Sequence, residues 1–374
     1  MKKHNELFSA NLIYFIIMVL FVVLRICTAM NLFSFLGNSA DLILTVIVQV
    51  GLMFLLPWLL FSKLNKKKPF QTWEDFGFKG VSFKVVLISI LIGFVVFILN
   101  IFISTFFSYI LSMFGYRTAS SAGGEQTWGT FFLSLFTVAV LPAICEEFTH
   151  RGMLLSSYKK LGFKKAVLLT GLMFGLIHLN IGQFFYATII GVVLAVVALY
   201  SRSLVPGIII HFMNNAINVY LDFAQSKGIF GANFYSNITT YVLGGNFFTS
   251  ILFIIAVLSL LILLLVYLIS LLLKINAQKS VMQYAERQAL LAMRQEVLKD
   301  IIPPERSQVN FNEPPIVFAK NAMKNTMSVK IPYEILGFYM EPEIKPTLLD
   351  KVFFWGTIVL GSLATISTFI WGIL

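Results

Sequence analysis

Two carboxylates, a histidine and an arginine end a long apolar run in the segment LPAICEEFTHRG, residues 141–152. Charged side chains are costly in the hydrocarbon region of a bilayer, so those that occur there usually serve binding or chemistry. Glu147 and Arg151 are four residues apart, which places them on one helix face where they can form an ion pair. This pair could be purely structural, or it could belong to a reactive site.

Two further apolar segments carry polar side chains at helical spacing. Phe174 and His178 are four residues apart, as are His211 and Asn215, so each pair shares one helix face. Polar faces in a membrane turn toward the interior of a helix bundle, because lipid does not solvate them. Taken singly, each pair could also be no more than a hydrogen-bonding contact between helices.

Brought together, these side chains suit hydrolysis. A carboxylate in an apolar pocket is a competent general base near neutral pH. Imidazoles bind a metal or orient a water molecule, and an amide can donate to a developing oxyanion. The spacing therefore predicts a single hydrolytic site to which three helices contribute.

The composition predicts the scaffold of this site. Of 374 residues, 58% are hydrophobic and 12% are charged, with a mean hydropathy of +0.86, whereas soluble domains carry about 25% charged residues. We expect an all-α, polytopic transmembrane helical bundle with about eight or nine spans. The predicted spans are approximately 10–34, 40–62, 84–114, 129–157, 163–180, 183–201, 204–224, 248–274 and 352–374.

The charges predict the topology. Lysine-rich loops follow the second and fourth spans, and lysines stand at the N-terminus, so the positive-inside rule places the N-terminus in the cytoplasm and the C-terminus outside. The net charge of +11 is explained in the same way, and we expect no nucleic-acid partner. The predicted segments are N-terminal transmembrane helices (1–125), a catalytic helical core (126–225), an outer loop with a further span (226–274), a cytoplasmic amphipathic and loop segment (275–351) and a C-terminal span (352–374).

The polar residues resemble the CPBP family, the CAAX prenyl protease and bacteriocin-processing intramembrane proteases, which are also called Abi proteins. The family has three motifs, Glu-Glu-x-x-x-Arg, Phe-x-x-x-His and His-x-x-x-Asn, and the resemblance covers about residues 130–225. In this chain the motifs read Glu146-Glu147-Phe-Thr-His-Arg151, Phe174-Gly-Leu-Ile-His178 and His211-Phe-Met-Asn-Asn215.

The resemblance implies an intramembrane endopeptidase with its site in a membrane-embedded cavity open to the cytoplasmic side. It implies that Glu146 is the general base and that His178 positions the attacking water. It further implies that His211 and Asn215 are the oxyanion donors. The motif residues Glu147, Arg151 and Phe174 are then supports, although Glu147 could hold part of the base's role.

Two questions stay open in the sequence. The family is often classed as metalloprotease, and Glu146, His178 and His211 would make a plausible zinc set, yet a glutamate mechanism without metal needs no further residue. His150 stands where the family usually has an apolar or aromatic residue. It could tune the base or add a metal ligand, or it could simply be solvated toward the cytoplasm.

The expected substrates are peptides or membrane-anchored proteins, and the expected location is a bacterial plasma membrane. The resemblance points there to bacteriocin maturation, self-immunity or the trimming of signalling peptides. One alternative is a catalytically silent membrane scaffold that binds a protein partner through residues 275–351. Another is a transporter with a proton relay, against which the lack of inverted repeats counts.

Overall fold

The computed structural model describes residues 2–117, 126–243, 247–299 and 344–373. Within these ranges all regular structure is helical, which confirms the predicted fold class. Most of the predicted cytoplasmic segment 275–351 lies outside the described residues. The helices are α1 (Lys2–Ala29), α2 (Ala40–Leu64), α3 (Pro69–Asp75), α4 (Phe83–Met113), α5 (Trp128–Leu161), α6 (Phe163–Leu176), α7 (Ile181–Ser201), α8 (Val205–Lys227), α9 (Phe234–Leu243), α10 (Phe247–Lys299) and α11 (Leu348–Ile373).

Seven of the described helices are long and apolar enough to cross a membrane, namely α1, α2, α4, α5, α7, α10 and α11. The predicted count of eight or nine spans is therefore too high. Helix α6 has only 14 residues, a length of about 21 Å, whereas a bilayer core is about 30 Å thick. Helix α8 has 23 residues, but the polar side chains along it leave it outside the apolar group.

The chain divides into two compact units, residues 1–269 with 341–374, and residues 270–340. All the motif residues belong to the first unit. In the second unit, the described part is the continuation of α10 as far as Lys299.

Helices α6 and α7 approach each other at glycines. A Cβ atom built on Gly191 would lie 2.9 Å from the Cα atom of Gly171, and one built on Gly175 would lie 2.8 Å from the carbonyl oxygen of Phe184. Small residues allow such close backbone contact between membrane helices. The glycines therefore fix the short helix α6, with its motif histidine at the end, against the long helix α7.

The last helix, α11, packs on α1 at the start of the chain. The amide of Asn11 donates to the carbonyl of Asp350 at 3.1 Å, and the hydroxyl of Tyr158 donates to the Asn11 side chain at 2.7 Å. All three residues are buried. The C-terminal span thus joins the bundle through a polar contact shared with α1 and α5.

A proline in α2 leaves a carbonyl group that another helix satisfies. Pro57 has no N–H, and in an α-helix that N–H would donate to the carbonyl of the residue four positions earlier, Met53. The hydroxyl of Thr149 in α5 donates to the Met53 carbonyl instead. Both partners are buried, so this bond ties α2 to α5 just beyond the two motif glutamates.

We expect Thr149→Val to lower the free energy of unfolding by about 1–3 kcal/mol, because it leaves the Met53 carbonyl buried without a donor. Replacing Pro57 with Ala in the same chain restores a backbone N–H at the right place and should recover part of this loss. Equilibrium unfolding in mixed detergent micelles measures both. An equal loss in the Thr149→Val and Thr149→Val/Pro57→Ala proteins would show that the carbonyl bond contributes nothing.

Candidate functional site

Three helices bring the motif residues together, as the spacing predicts. Helix α5 carries both glutamates and Arg151, and α8 carries His211. Helix α6 carries Phe174 and ends at Leu176, so His178 lies in the turn that follows it. Helices α5 and α8 pack directly against each other, as do α5 and α6. The motif side chains other than Asn215 therefore meet inside the bundle, whereas the recorded hydrogen bonds of Asn215 are with Asn214 and the carbonyl of Val138.

Glu147 is the buried centre of this group. Its Oε1 atom accepts a hydrogen bond from Arg151 at 2.7 Å and lies 3.1 Å from Nδ1 of His211. The side chains of Glu147 and Arg151 are both 0% exposed. Its second oxygen, Oε2, has no hydrogen-bond partner in the described structure and faces Gly207, where a Cβ atom would lie only 2.8 Å away. Glu147 is thus placed to hold Arg151 and His211 rather than to meet a substrate.

Arg151 links α5 with α6 and α7. Besides its ion pair with Glu147, it donates to the carbonyl of Gly191 in α7 at 3.0 Å. Its guanidinium group also lies over the ring of Phe174, 4.5 Å from the ring centroid, where a cation is attracted to the aromatic face. Arg151 therefore contacts both of the other supports that the resemblance implies, Glu147 and Phe174.

Phe174 separates the imidazoles of the site. Its ring stands edge-on to those of His178, His211 and His150, at centroid distances of 5.2, 5.6 and 4.9 Å respectively. Edge-to-face contacts of this kind restrict ring orientation. The ring of Phe174 therefore holds the histidines apart at fixed angles.

Glu146 differs from its neighbour in being accessible. Its Oε1 atom accepts a hydrogen bond from the amide of Gln49 at 2.9 Å, while Oε2 lies 4.0 Å from Nε2 of His211. The Glu146 side chain is 13% exposed, against 0% for Glu147. A separation of 4.0 Å is too long for a hydrogen bond but leaves both atoms within reach of a shared water molecule.

A cavity of about 280 Å³ lies against Glu146. His178 also lines it, and the ring of His178 is oriented by a contact of 2.8 Å between its Nδ1 and the carbonyl of Phe174. Because Nδ1 then carries the proton, Nε2 is the nitrogen with a free electron pair. The accessible carboxylate and a lone-pair nitrogen therefore border the same cavity.

Asn215 caps a second carbonyl that a proline leaves free. Pro142 in α5 has no N–H to donate to the carbonyl of Val138, and the Asn215 amide donates to this carbonyl at 3.0 Å. The Asn215 side-chain oxygen accepts from Asn214 at 3.1 Å. An amide nitrogen carries two donors, so Asn215 keeps one N–H beyond this structural bond.

His150 is packed in the interior. It is 0% exposed, so its interpretation as a residue solvated toward the cytoplasm is wrong. Its Nδ1 lies 2.8 Å from the carbonyl of Glu146, and its Nε2 lies 2.9 Å from the hydroxyl of Tyr14. The Tyr14 hydroxyl also lies 2.8 Å from the carbonyl of Met173 and has a single proton to donate. Both nitrogens of His150 are therefore in polar contacts inside the bundle, and neither is free to bind a metal. That His150 tunes the base stays a prediction.

Gln49 and Arg25 contribute to the site but were not predicted from the sequence. Gln49 is a single amide in an otherwise apolar stretch of α2, and that isolation was the available signal. Arg25 in α1 is a lone charge in an apolar helix, and it lines the cavity together with Glu146 and His178. Neither belongs to a motif, so only the packing of α1 and α2 reveals them.

We expect Gln49→Leu to lower kcat/KM about tenfold or more, because a hydrogen bond to a charged group contributes about 1.5–3 kcal/mol and here fixes the Glu146 carboxylate. Peptide-cleavage kinetics measure the effect. Gln225→Leu, at an exposed position of α8, is the matched control. Equal kinetics in wild type and Gln49→Leu would show that Gln49 does not position the base.

A metal centre was tested on the donor groups themselves. Among the described residues, no three His, Cys, Asp or Glu side chains are grouped so that they could hold a metal ion. Glu146, His178 and His211 are therefore not grouped as a three-ligand zinc site in this arrangement.

The cavity extends from the middle of the bundle, at Met53 and Glu146, toward one end. In α1 the cavity is lined by Phe21, Leu24, Arg25 and Thr28, which all lie within the last nine residues of that helix. In α2 the lining residues begin at Leu44. This is the end where α1 and α2 are connected, opposite the N-terminus. The cytoplasmic N-terminus and the opening of the cavity toward the cytoplasm both stay predictions.

Comparison with known proteins supports the resemblance. A family model described as type II CAAX prenyl endopeptidase Rce1-like matches residues 128–217, the segment that contains all three motifs. Searches of the curated proteins and of the solved structures gave no significant match. At the level of the family, the match points to a CAAX-type intramembrane protease, and with the seven apolar helices it indicates a multi-pass membrane protein.

Proposed function

We propose that this chain, whose residues 128–217 belong to the Rce1-like family of CAAX-type intramembrane proteases, is an endopeptidase that hydrolyses peptide bonds with water activated by Glu146. The observation that carries the proposal is the contrast between the two glutamates. Glu147 is buried in an ion pair with Arg151. Glu146, in the part of the chain that the structure describes, has no Lys or Arg within ion-pair distance, and it borders a cavity with His178.

The proposed reaction begins with a water molecule between Glu146 and the two histidines. Glu146 removes a proton from this water while the lone pair of His178 Nε2 orients it. The resulting hydroxide attacks the carbonyl carbon of the scissile peptide bond. Glu146 then transfers its proton to the leaving nitrogen, so the carboxylate is regenerated and no acyl-enzyme forms.

The oxyanion of the tetrahedral intermediate needs donors. The side-chain amide of Asn215 can donate its second N–H, since only one N–H is used in the bond to the Val138 carbonyl. His211 offers Nε2–H in its protonated form, while its Nδ1–H stays directed at Glu147. A carboxylate that orients a histidine through its second nitrogen is a recurrent arrangement in hydrolytic sites. Glu147 and Arg151 act here as positioning residues.

The proposed substrates are peptides or membrane-anchored proteins, in keeping with a site buried among membrane helices. We further propose a bacterial plasma membrane with the N-terminus in the cytoplasm, since the lysine-rich segments of the chain fall at the N-terminal end of the bundle. Bacteriocin maturation, self-immunity and processing of signalling peptides are the proposed settings. A protein partner could bind through residues 275–351.

Membranes containing wild type, Glu146→Gln or His211→Ala, incubated with a peptide library and read by mass spectrometry, test this proposal. We expect new peptide termini only with wild type. Equal amounts of new termini from all three proteins would show that Glu146 and His211 have no role in cleavage. If wild type cleaves nothing but retains a stable protein partner on purification, the catalytically silent scaffold replaces the protease.

Metal dependence is tested separately on purified wild type. The proposed mechanism predicts that a chelator leaves cleavage unchanged and that elemental analysis finds less than one zinc per chain. Loss of cleavage on chelation, restored by added zinc, would favour the metalloprotease alternative.

A further inference from the structure

Arg25 is the one cation on the wall of the cavity described above. The remaining wall is largely apolar, and its residues are Phe21, Leu24, Thr28, Leu44, Val48, Met53, Glu146, Ile177, His178, Leu179 and Gln183. The reacting carboxylate of Glu146 and the guanidinium of Arg25 thus border the same space. A peptide in this cavity meets a negative group and a positive group.

Arg25 has no acidic partner in the part of the chain that the structure describes. The other cations near the bundle interior are paired: Arg151 with Glu147 at 2.7 Å, Lys67 with Glu6 and Asp75 at 2.7 Å each, and Lys160 with Glu6. Arginine is the side chain best suited to grip a carboxylate, because its planar fork matches the two oxygens. An unpaired arginine on a cavity wall is therefore free to receive one.

The neighbouring polar groups do not neutralise Arg25. Thr28 directs its hydroxyl to the carbonyl of Leu24 at 2.9 Å, and Gln183 carries no charge. Glu146 is engaged by Gln49 at 2.9 Å. A substrate carboxylate would be repelled by Glu146 and attracted by Arg25, so the two charges can set the direction in which a peptide lies.

We propose that Arg25 is a specificity-determining residue that binds a carboxylate of the substrate within the cavity, a claim that rests on the proposed protease function. A volume of about 280 Å³ is at the lower end of ligand pockets, so only a short stretch of chain separates this carboxylate from the bond at Glu146. The carboxylate is either the C-terminus of the substrate or an acidic side chain close to the cleaved bond.

The test compares four peptides of one apolar sequence in detergent micelles, where both ends of the bundle are accessible. Two of the peptides end in a free carboxylate and two end in an amide. One peptide of each pair also contains an aspartate. Wild type should cleave the acidic peptides with a kcat/KM about tenfold higher than that of the neutral peptide, which corresponds to about 1.4 kcal/mol. The better of the two singly acidic peptides identifies the source of the carboxylate.

Arg25→Gln should remove this preference by raising KM for the acidic peptides about tenfold, so that acidic and neutral peptides are then cleaved with similar kcat/KM. Arg25→Lys should keep part of the preference, because the charge remains but the fork does not. Arg117→Gln is the matched control, since Arg117 is exposed just beyond α4 and does not line the cavity. A thermal unfolding curve for each variant checks its fold.

Three results would overturn the proposal. Arg25→Gln could lower cleavage of acidic and neutral peptides equally, or it could change neither. In vesicles, its effect could instead follow the fraction of anionic lipid and not the charge of the peptide, in which case Arg25 binds a lipid phosphate. If Glu146→Gln abolishes cleavage of every peptide while Arg25→Gln keeps the full preference for acidic peptides, the protease function stands and the role of Arg25 falls.

Discussion

Glu146→Gln is expected to lower kcat/KM by between about a hundredfold and ten-thousandfold, the range over which general acid–base catalysis contributes. The substitution keeps the size of the side chain and its contact with Gln49 but removes the group that accepts a proton from water. Because Glu146 is accessible at the cavity, the folded protein should be left almost unchanged. Steady-state cleavage of a fluorogenic peptide measures the loss.

Glu74→Gln is the matched control for this substitution. Glu74 lies in the short helix α3 and is exposed, so the same chemical change there should leave cleavage at the wild-type rate. If the Glu146→Gln protein retains more than about a tenth of wild-type activity, the general base is another residue, and Glu147 is the next candidate.

Arg151→Met is expected to be the most destabilising single substitution in the site, at about 3–5 kcal/mol of unfolding free energy. The reason is the full burial of both members of the ion pair with Glu147. Removing the arginine leaves a buried carboxylate without its cation, and it also removes the donor to the Gly191 carbonyl. Equilibrium unfolding in mixed detergent micelles gives the magnitude.

The double variant Glu147→Gln/Arg151→Met should lose less stability than Arg151→Met alone, since no unpaired charge is then buried. Lys67→Met provides a comparison at a partly exposed pair, where Lys67 and Glu6 are each 25% exposed and the expected cost is about 1 kcal/mol or less. Additive losses in the double variant would contradict an energetic coupling between Glu147 and Arg151.

The helical spacing of four residues was sufficient to predict the partners inside the site. Glu147 with Arg151 forms an ion pair, and Phe174 contacts His178, because residues so spaced share a helix face. That the three faces meet was predicted from the cost of polar groups in lipid. The roles of the two glutamates could not be separated by spacing, since neighbouring residues point in different directions that only packing fixes.

The site residues that could not be predicted from the sequence lie on helices far from the motifs along the chain. Gln49, Tyr14 and Arg25 reach the site from α1 and α2, which carry no motif, so no periodicity connects them with Glu146. The two extra spans were predicted because α6 and α8 are apolar on average. Helix α6 is too short to count as a span, and helix α8 is too polar. The polar residues of α8 include those of the site.

The most direct measurement of peptide hydrolysis by Glu146 uses purified protein in lipid vesicles, with a peptide library in water enriched in oxygen-18. With wild type, mass spectrometry should show new C-termini that each carry one oxygen-18 atom, and with Glu146→Gln these labelled termini should be absent. Labelled termini of equal intensity from both proteins, or none from wild type, would contradict glutamate-activated hydrolysis in this chain.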